Sequence, residues 1–138
     1  MSSEIKTRRV ERRRSENYLK KAEEYDKTME ACFTNGQWNA CILNAIHCGI
    51  SSIDALTVYL LELRHAGDRH LEAIELLKRT QLDPDELDSK SMQFSFLLSI
   101  KNVAEYEDRL MDEKDAQNAM KAANRIFSWV KNELKNKK

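Results

Sequence analysis

A long apolar segment constrains the fold of this chain more than any other feature. Residues 37–65 contain no proline and a single glycine, Gly49. Apolar and small residues recur almost all the way round a helical wheel: Trp38, Cys41, Ile42, Ala45, Cys48, Gly49, Ser52, Ile53, Leu56, Tyr59, Leu60 and Leu63. A helix that is apolar on most sides must be covered on most sides. The segment therefore predicts a central helix, from about Gln37 to His65, in an all-α bundle.

Composition and hydropathy favour a single soluble domain. The 138 residues include three glycines, one proline and 33% charged residues, a usage typical of helical proteins. No β-branched runs lie between turn residues, so the sequence predicts no strands. No uncharged apolar run reaches the roughly 18–20 residues that span a bilayer. The opening MSSEIKTRRVERRR is not followed by a hydrophobic segment, as a secretory leader is. We therefore expect a cytoplasmic protein without membrane association.

Start and stop signals divide the chain into an up-and-down bundle of four main helices and one short helix. The first helix starts near Ser15, or earlier if the arginine run is helical too, and stops at Asn35-Gly36. The central helix stops at Gly67, and Asp68 is the predicted N-cap of the short helix. Asp83-Pro84 opens a helix that ends near Leu110, and a capping box of Asp112 with Asp115 opens the last helix. Residues 15–135 form one domain in this interpretation, and residues 1–14 a basic N-terminal arm. Gly49 inside the central helix predicts close approach of another helix.

The arm carries most of the charge asymmetry of a chain whose net charge is zero. Residues 1–21 hold eight basic and three acidic side chains. Clustered arginines neutralise phosphates in a sequence-independent way, so one interpretation is an RNA-contacting arm. The alternatives are a docking site for an acidic partner and a flexible, frayed helix start.

The cysteines indicate neither a disulfide framework nor a metal site. Cys32, Cys41 and Cys48 are odd in number and lie in helical pattern. The sequence has no CxxC and no paired Cys/His spacing of a zinc site. We expect buried, inert thiols, no metal and no cofactor.

Three segments, in their order and spacing, resemble the HEPN family. They are WNACILNAIHCGISSIDALTVY in the central helix, GDRH before the short helix, and KNVAEYEDRL near the end of the fourth helix. The resemblance runs from about Tyr18 to Leu134. HEPN proteins are small helical bundles, commonly homodimers, and many are encoded beside a minimal nucleotidyltransferase in toxin–antitoxin or other defence systems. The resemblance thus implies a homodimer, a possible nucleotidyltransferase partner, and RNA or a nucleotide as ligand.

Active HEPN members are metal-independent ribonucleases with an arginine, four to six residues, then a histidine on the fourth helix. Here Lys101 and Tyr106 stand at those places, so the chain resembles members of the AEYE type. Lysine lacks the bidentate fork of arginine, and tyrosine, with a pKa of about 10, is a poor proton shuttle. We expect a non-catalytic or weakly active protein with no catalytic residues in this motif. The alternatives are a ribonuclease toxin with a substituted motif and a purely structural interaction module.

From the resemblance we expect a phosphate-bearing ligand or a partner protein in a dimer cleft near helix four and the turn at Gly67. Lys101 and Asn102 would contact the phosphate, and Tyr106 would add a hydroxyl or stacking contact. Arg64 and His70 are five residues apart and fit the Arg…His spacing, but they straddle the turn at Gly67. We assign them auxiliary polarity in the same cleft. The alternatives are that Arg64 binds carbonyls of the central helix and that His70 only occupies a first helical turn.

Two further polar residues lie on the apolar central helix. Asp54 is costly there unless paired, so we expect it to pair with Lys101 or Arg64 and include it in the candidate site. A solvent-facing Asp54 is the alternative. His47 is more simply a hydrogen-bonded core or interface histidine than a ligand-binding one.

Overall fold

A computed structural model describes residues 4–137. Its elements are β1 (Thr7–Arg9), a 3-10 turn (Arg12–Arg14), α1 (Ser15–Thr34), α2 (Trp38–Leu61), β2 (Leu63–His65), α3 (His70–Lys78), α4 (Pro84–Tyr106) and α5 (Glu113–Lys137). Four long helices and one short helix form the bundle, which confirms the predicted all-α class and helix count.

The central position of α2 is also confirmed. It contacts α1, α4 and α5, and its residues 51–58 are buried without interruption. A Cβ at Gly49 would lie 2.6 Å from Leu97 Cδ1, so α4 makes the close approach that this glycine predicts. Without a side chain at Gly49, Leu97 packs directly on the α2 backbone.

By length and composition α2 could cross a membrane, but 72% of its most apolar window is buried inside the bundle. Core helices of soluble proteins have the same character, because their neighbours cover every side. The apolar character of α2 is thus accounted for by its burial inside the helical bundle.

The predicted end of the central helix at His65 is wrong. The α2 helix ends at Leu61, Glu62 adopts a left-handed conformation with φ of 55°, and the next three residues form β2. The predicted absence of strands is also wrong, because β2 pairs antiparallel with β1 and places Arg8 opposite Arg64. A three-residue strand is too short to show an alternating pattern, and only its distant partner satisfies its backbone.

The described part of the N-terminal arm, residues 4–14, is therefore not a frayed helix start. Beyond the ladder, the Val10 amide donates to the Glu62 carbonyl and the Ala66 amide donates to the Lys6 carbonyl. Ile5 and Val10 are buried. The arm thus holds the segment that joins α2 to α3.

Two of the predicted capping signals are confirmed in detail. The Asp83 carboxylate accepts from the Glu86 amide at 3.0 Å with Pro84 as the first helical residue. Asp112 and Asp115 exchange reciprocal side chain–backbone hydrogen bonds of 2.8 and 3.1 Å at the start of α5. The stop at Asn35-Gly36 is confirmed as well, with a φ of +71° at the glycine.

Two other boundaries differ from the prediction. Asp68 does not cap α3, which begins at His70 after Arg69 and has no side-chain cap bond. The α4 helix ends at Tyr106 rather than near Leu110, because Glu107 is extended and Leu110 is 82% exposed. The Met111 amide then donates to Asn39 Oδ1, which attaches the connection to α2.

Candidate ligand-binding site

A cavity of about 300 Å³ lies between α2, the turn after β2, α3 and α4. Part of its wall is apolar, with Ile50 and Ile53 from α2, Leu76 from α3, and Phe94 and Leu98 from α4. The chain has three histidines, and all of them line this cavity. The basic lining residues are His47, His65, His70, Arg64, Arg69 and Lys101.

Helical periodicity and the β2 ladder together build this lining. His47 and Asp54 are seven residues apart on α2, and Phe94 and Lys101 are seven apart on α4, so each pair shares a helix face. The short segment from Arg64 to His70 supplies a further part of the lining, and the pairing of β2 with β1 holds the beginning of this segment in place.

Asp54 and Arg64 form an ion pair at the edge of the cavity. Arg64 Nε donates to Asp54 Oδ2 at 3.1 Å, and Asp54 is only 7% exposed. The guanidinium also lies over the Tyr18 ring, 5.5 Å from its centroid. Burial raises the pKa of Asp54 to about 6, even though the charge of Arg64 acts to lower it. The predicted pairing with Arg64 is confirmed, and the solvent-facing alternative is wrong.

A second polar cluster joins α2 to α4 at the cavity. His47 Nε2 lies 2.9 Å from Glu105 Oε1, and Lys101 Nζ lies 3.8 Å from Glu105 Oε2. The imidazole also contacts the Tyr25 ring at a centroid distance of 5.6 Å. The predicted hydrogen bond of His47 is present, with an acidic partner that the sequence did not single out, but its side chain is 40% exposed and therefore not a core residue.

The other two histidines are positioned differently. His70 opens α3, and its Nε2 lies 2.7 Å from the Ser95 hydroxyl of α4. His65 Nε2 is buried without a hydrogen-bond partner and lies 3.7 Å from Glu72 Oε1. Burial lowers the pKa of His65, and the nearby carboxylate of Glu72 acts in the opposite direction. Burial therefore favours the neutral form of His65.

Of the six candidate residues, the structure brings four together. Asp54, Arg64, His70 and Lys101 line the cavity, whereas Asn102 and Tyr106 do not. Asn102 is exposed and donates to Glu107 Oε2 at 3.3 Å, and Tyr106 is 75% exposed at the last residue of α4. Five helical residues rotate by about 140° at 3.6 residues per turn, so Lys101 and Tyr106 face different directions. A binding role for each of the six remains a prediction.

Sequence reasoning missed His65 and Arg69 as site residues and took His47 as structural only. The available signal was that all three histidines lie between residues 47 and 70, around one predicted turn. His65 stayed hidden because it was placed in the central helix instead of in β2.

The three cysteines do not line the cavity. Cys32, Cys41 and Cys48 are buried and free, as expected. Burial raises the pKa of Cys41 to about 11 and that of Cys48 to about 12, which makes both thiols inert. Among residues 4–137, no group of three or more His, Cys, Asp or Glu side chains is arranged to hold a metal ion.

The architecture defines a class: an all-α bundle with a polar cavity beside its central helix. A family model described as HEPN domain matches residues 15–134, which is most of the chain. The protein therefore belongs to the HEPN family, as the resemblance of the three segments predicted. The match begins where α1 begins and leaves the N-terminal arm outside it. The comparison with curated proteins gives no match.

Proposed function

We propose that this protein is a non-catalytic HEPN-family component that binds a phosphate group of a nucleotide or RNA in the cavity between α2, α3 and α4. One observation carries the proposal: three permanently charged cations and three histidines surround a single cavity that also has an apolar wall. Ligand pockets combine such apolar surface with a few convergent polar groups. The ligand's ring would contact Phe94 and Leu98, and its phosphate would lie among the basic side chains.

The cations are available because their present ion pairs are long and partly exposed. Arg69 lies 3.9 Å from Glu72 with its side chain 78% exposed, and Lys101 lies 3.8 Å from Glu105 with its side chain 38% exposed. Such pairs contribute little stability, so a phosphate can replace the carboxylate as partner. Charge-assisted hydrogen bonds to phosphate are stronger than neutral ones.

Isothermal titration with AMP, UMP and a short single-stranded RNA tests the proposal. We expect Lys101→Ala and Arg69→Gln each to weaken the affinity about tenfold, since each removes one charge-assisted contact. Lys90→Ala is the matched control, because Lys90 lies on α4 outside the cavity. If none of the probes binds, or if Lys90→Ala weakens binding as much as Lys101→Ala, the proposal fails and a purely structural module becomes the better account.

Ribonuclease activity is the second candidate, and a specific observation favours it. His47 and His70 both line the cavity, and each has one ring nitrogen hydrogen-bonded to a side chain of α4. Positioned imidazoles are the most frequent general acids and bases. Incubation of unstructured RNA with the protein in a metal chelator decides the matter. Cleavage that is lost in both His47→Ala and His70→Ala would replace the non-catalytic proposal.

We also propose that two copies of the chain associate through α4, in a system that pairs the protein with a nucleotidyltransferase. Met92 is 74% exposed and Phe96, one turn later, is 37% exposed, which leaves an apolar patch on this helix. Light scattering after gel filtration measures the mass directly. A dimer that Met92→Glu converts to a monomer supports this arrangement, and a monomeric wild type contradicts it.

A further inference from the structure

The ion pair between Asp54 and Arg64 lies in the lining of the proposed ligand pocket. Arg64 is one of the three cations available to a ligand, with Arg69 and Lys101, and Asp54 already binds it. Arg64 directs its Nε to Asp54, while its side chain is 36% exposed and also lines the cavity. Asp54 is buried at 7% exposure on the helix that forms the cavity wall. A ligand phosphate and the Asp54 carboxylate would therefore seek the same guanidinium.

We propose that Asp54 is an internal competitor for Arg64, so that the pocket binds its anion together with a proton that neutralises Asp54. The inference rests on the proposed phosphate-binding function and adds the regulation of that same site. In the empty pocket Asp54 is ionised and paired with Arg64. In the loaded pocket Asp54 carries the proton, and Arg64 pairs with the ligand.

Electrostatics favours this exchange. Two like charges placed a few ångströms apart in a poorly hydrated site repel strongly, so an incoming anion favours the neutral form of Asp54. Burial already raises the pKa of this carboxyl to about 6, which makes its protonation inexpensive near neutral pH. Arg64 keeps its charge throughout, because a guanidinium does not lose its proton in this range. The net result is that one proton enters with each anion.

Other charged and titratable groups act on the Asp54–Arg64 pair or line the same cavity. They are Tyr18 and Lys21 on α1, His47 on α2, Arg64 on β2, His65, Asp68 and Arg69 in and after β2, His70 on α3, and Lys101 on α4. Protonation of a histidine also attracts an anion as the pH falls. The test must therefore separate Asp54 from the histidines.

Sulfate is the suitable probe, because it has the shape of phosphate and stays a dianion between pH 5 and 8. We expect its affinity for the wild-type protein, measured by amide NMR shifts, to fall by up to about tenfold per pH unit above pH 6, as uptake of one proton requires. Asp54→Asn mimics the neutral carboxyl and can still accept a hydrogen bond from Arg64. At pH 8 this variant should bind sulfate at least about tenfold more tightly than wild type, with a nearly flat pH profile.

Asp68→Asn is the matched control. Asp68 lines the same cavity and is exposed, but it is not bonded to Arg64. This variant should gain affinity only slightly, through the loss of one negative charge, and should keep the pH dependence of the wild type. His65→Gln should also keep most of that dependence.

The outcomes separate the inference from the function on which it rests. If wild type binds sulfate or nucleotide with a flat pH profile, the proton coupling is wrong and the binding function stands. If Asp54→Asn keeps the wild-type slope, a histidine takes up the proton and the role given to Asp54 is overturned. If neither sulfate nor nucleotide binds at any pH to wild type or Asp54→Asn, the proposed function fails and the inference fails with it.

Discussion

The two sides of α2 are buried in different ways. Toward α5 the contact surface is apolar, and Ala119, Ala123, Ile126 and Val130 are fully buried. Toward α3 and α4 the same helix carries His47 and Asp54, and each pairs with a side chain of another element, Glu105 of α4 and Arg64 of β2 respectively. The first side is held by the area removed from water, whereas the second depends on a few specific pairings.

The two sides of α2 are therefore suited to different roles, one to stability and the other to ligand binding. An apolar interface tolerates no lost volume but has no chemistry for a ligand. A cavity with paired polar groups leaves room for a ligand and can exchange one partner for another. We therefore expect substitutions on the α5 side to change the unfolding free energy alone, and substitutions on the α3–α4 side to change affinity as well.

The largest expected effect is on the apolar side. Ile126→Ala removes a fully buried side chain that packs near Gly49, and should lower the unfolding free energy by about 4 kcal/mol. Urea denaturation monitored by circular dichroism gives the value. Sulfate affinity of the folded fraction should remain that of wild type. A large loss of affinity in this variant would show that the two sides are not independent.

Arg64→Ala should destabilise the protein by about 3 kcal/mol at pH 8, because it leaves Asp54 buried without a cation. At pH 5 the loss should be clearly smaller, since Asp54 then carries a proton. Sulfate binding should be lost at both pH values. The double variant Asp54→Asn/Arg64→Ala is the control, and it should recover much of the stability without recovering the binding. An equal cost at pH 5 and pH 8 would contradict the assigned ionisation of Asp54.

The apolar side could be predicted from the sequence, because the signals for it lie within single helices. Ala116, Ala119, Ala123, Ile126, Val130 and Leu134 follow helical spacing, and all six are buried in the structure. The capping signals at Asp83 and Asp112 act within three residues, so they too could be identified. A repeated spacing or a cap is satisfied by neighbouring residues, which makes it visible without tertiary knowledge.

The cavity could be predicted only in part, because it depends on contacts between segments that are far apart in the sequence. Arg64 points at Asp54 only after α2 ends at Leu61 and β2 forms, and β2 forms only with β1 about sixty residues earlier. The left-handed residue that permits this turn is Glu62, which carries no turn signal of its own. Seven-residue spacing on α2 and α4 does mark shared faces, but it does not say which faces meet.

The pH dependence of stability tests Asp54 in the absence of ligand. Its folded-state pKa of about 6 exceeds the ordinary value of 3.8, so the folded state binds the proton more tightly than the unfolded state. The corresponding stabilisation is fully present below pH 4 and is lost as the pH rises through 6. We expect this loss to amount to about 3 kcal/mol and to be absent in Asp54→Asn. Identical pH profiles for the two proteins would contradict the raised pKa.

The smallest effect is expected where α2 and α4 touch directly. Gly49→Ala adds a methyl group 2.6 Å from Leu97 Cδ1, so the Leu97 side chain has to shift within a closed core. Overpacking of this kind costs about 2 kcal/mol, while alanine recovers about 1 kcal/mol of helix propensity, which leaves a net loss of about 1 kcal/mol. Ser51→Ala, also on α2, is the control for propensity alone and should be neutral or slightly stabilising. If Gly49→Ala is stabilising in urea denaturation, the core yields at this contact and the close approach of α4 is not what requires glycine.

The same substitution should also affect the cavity. Leu97 lies one turn from Phe94 and Lys101 on α4, so a shift of Leu97 should displace these cavity residues slightly. A two- to threefold change in sulfate affinity would show that the apolar packing and the proposed site are coupled.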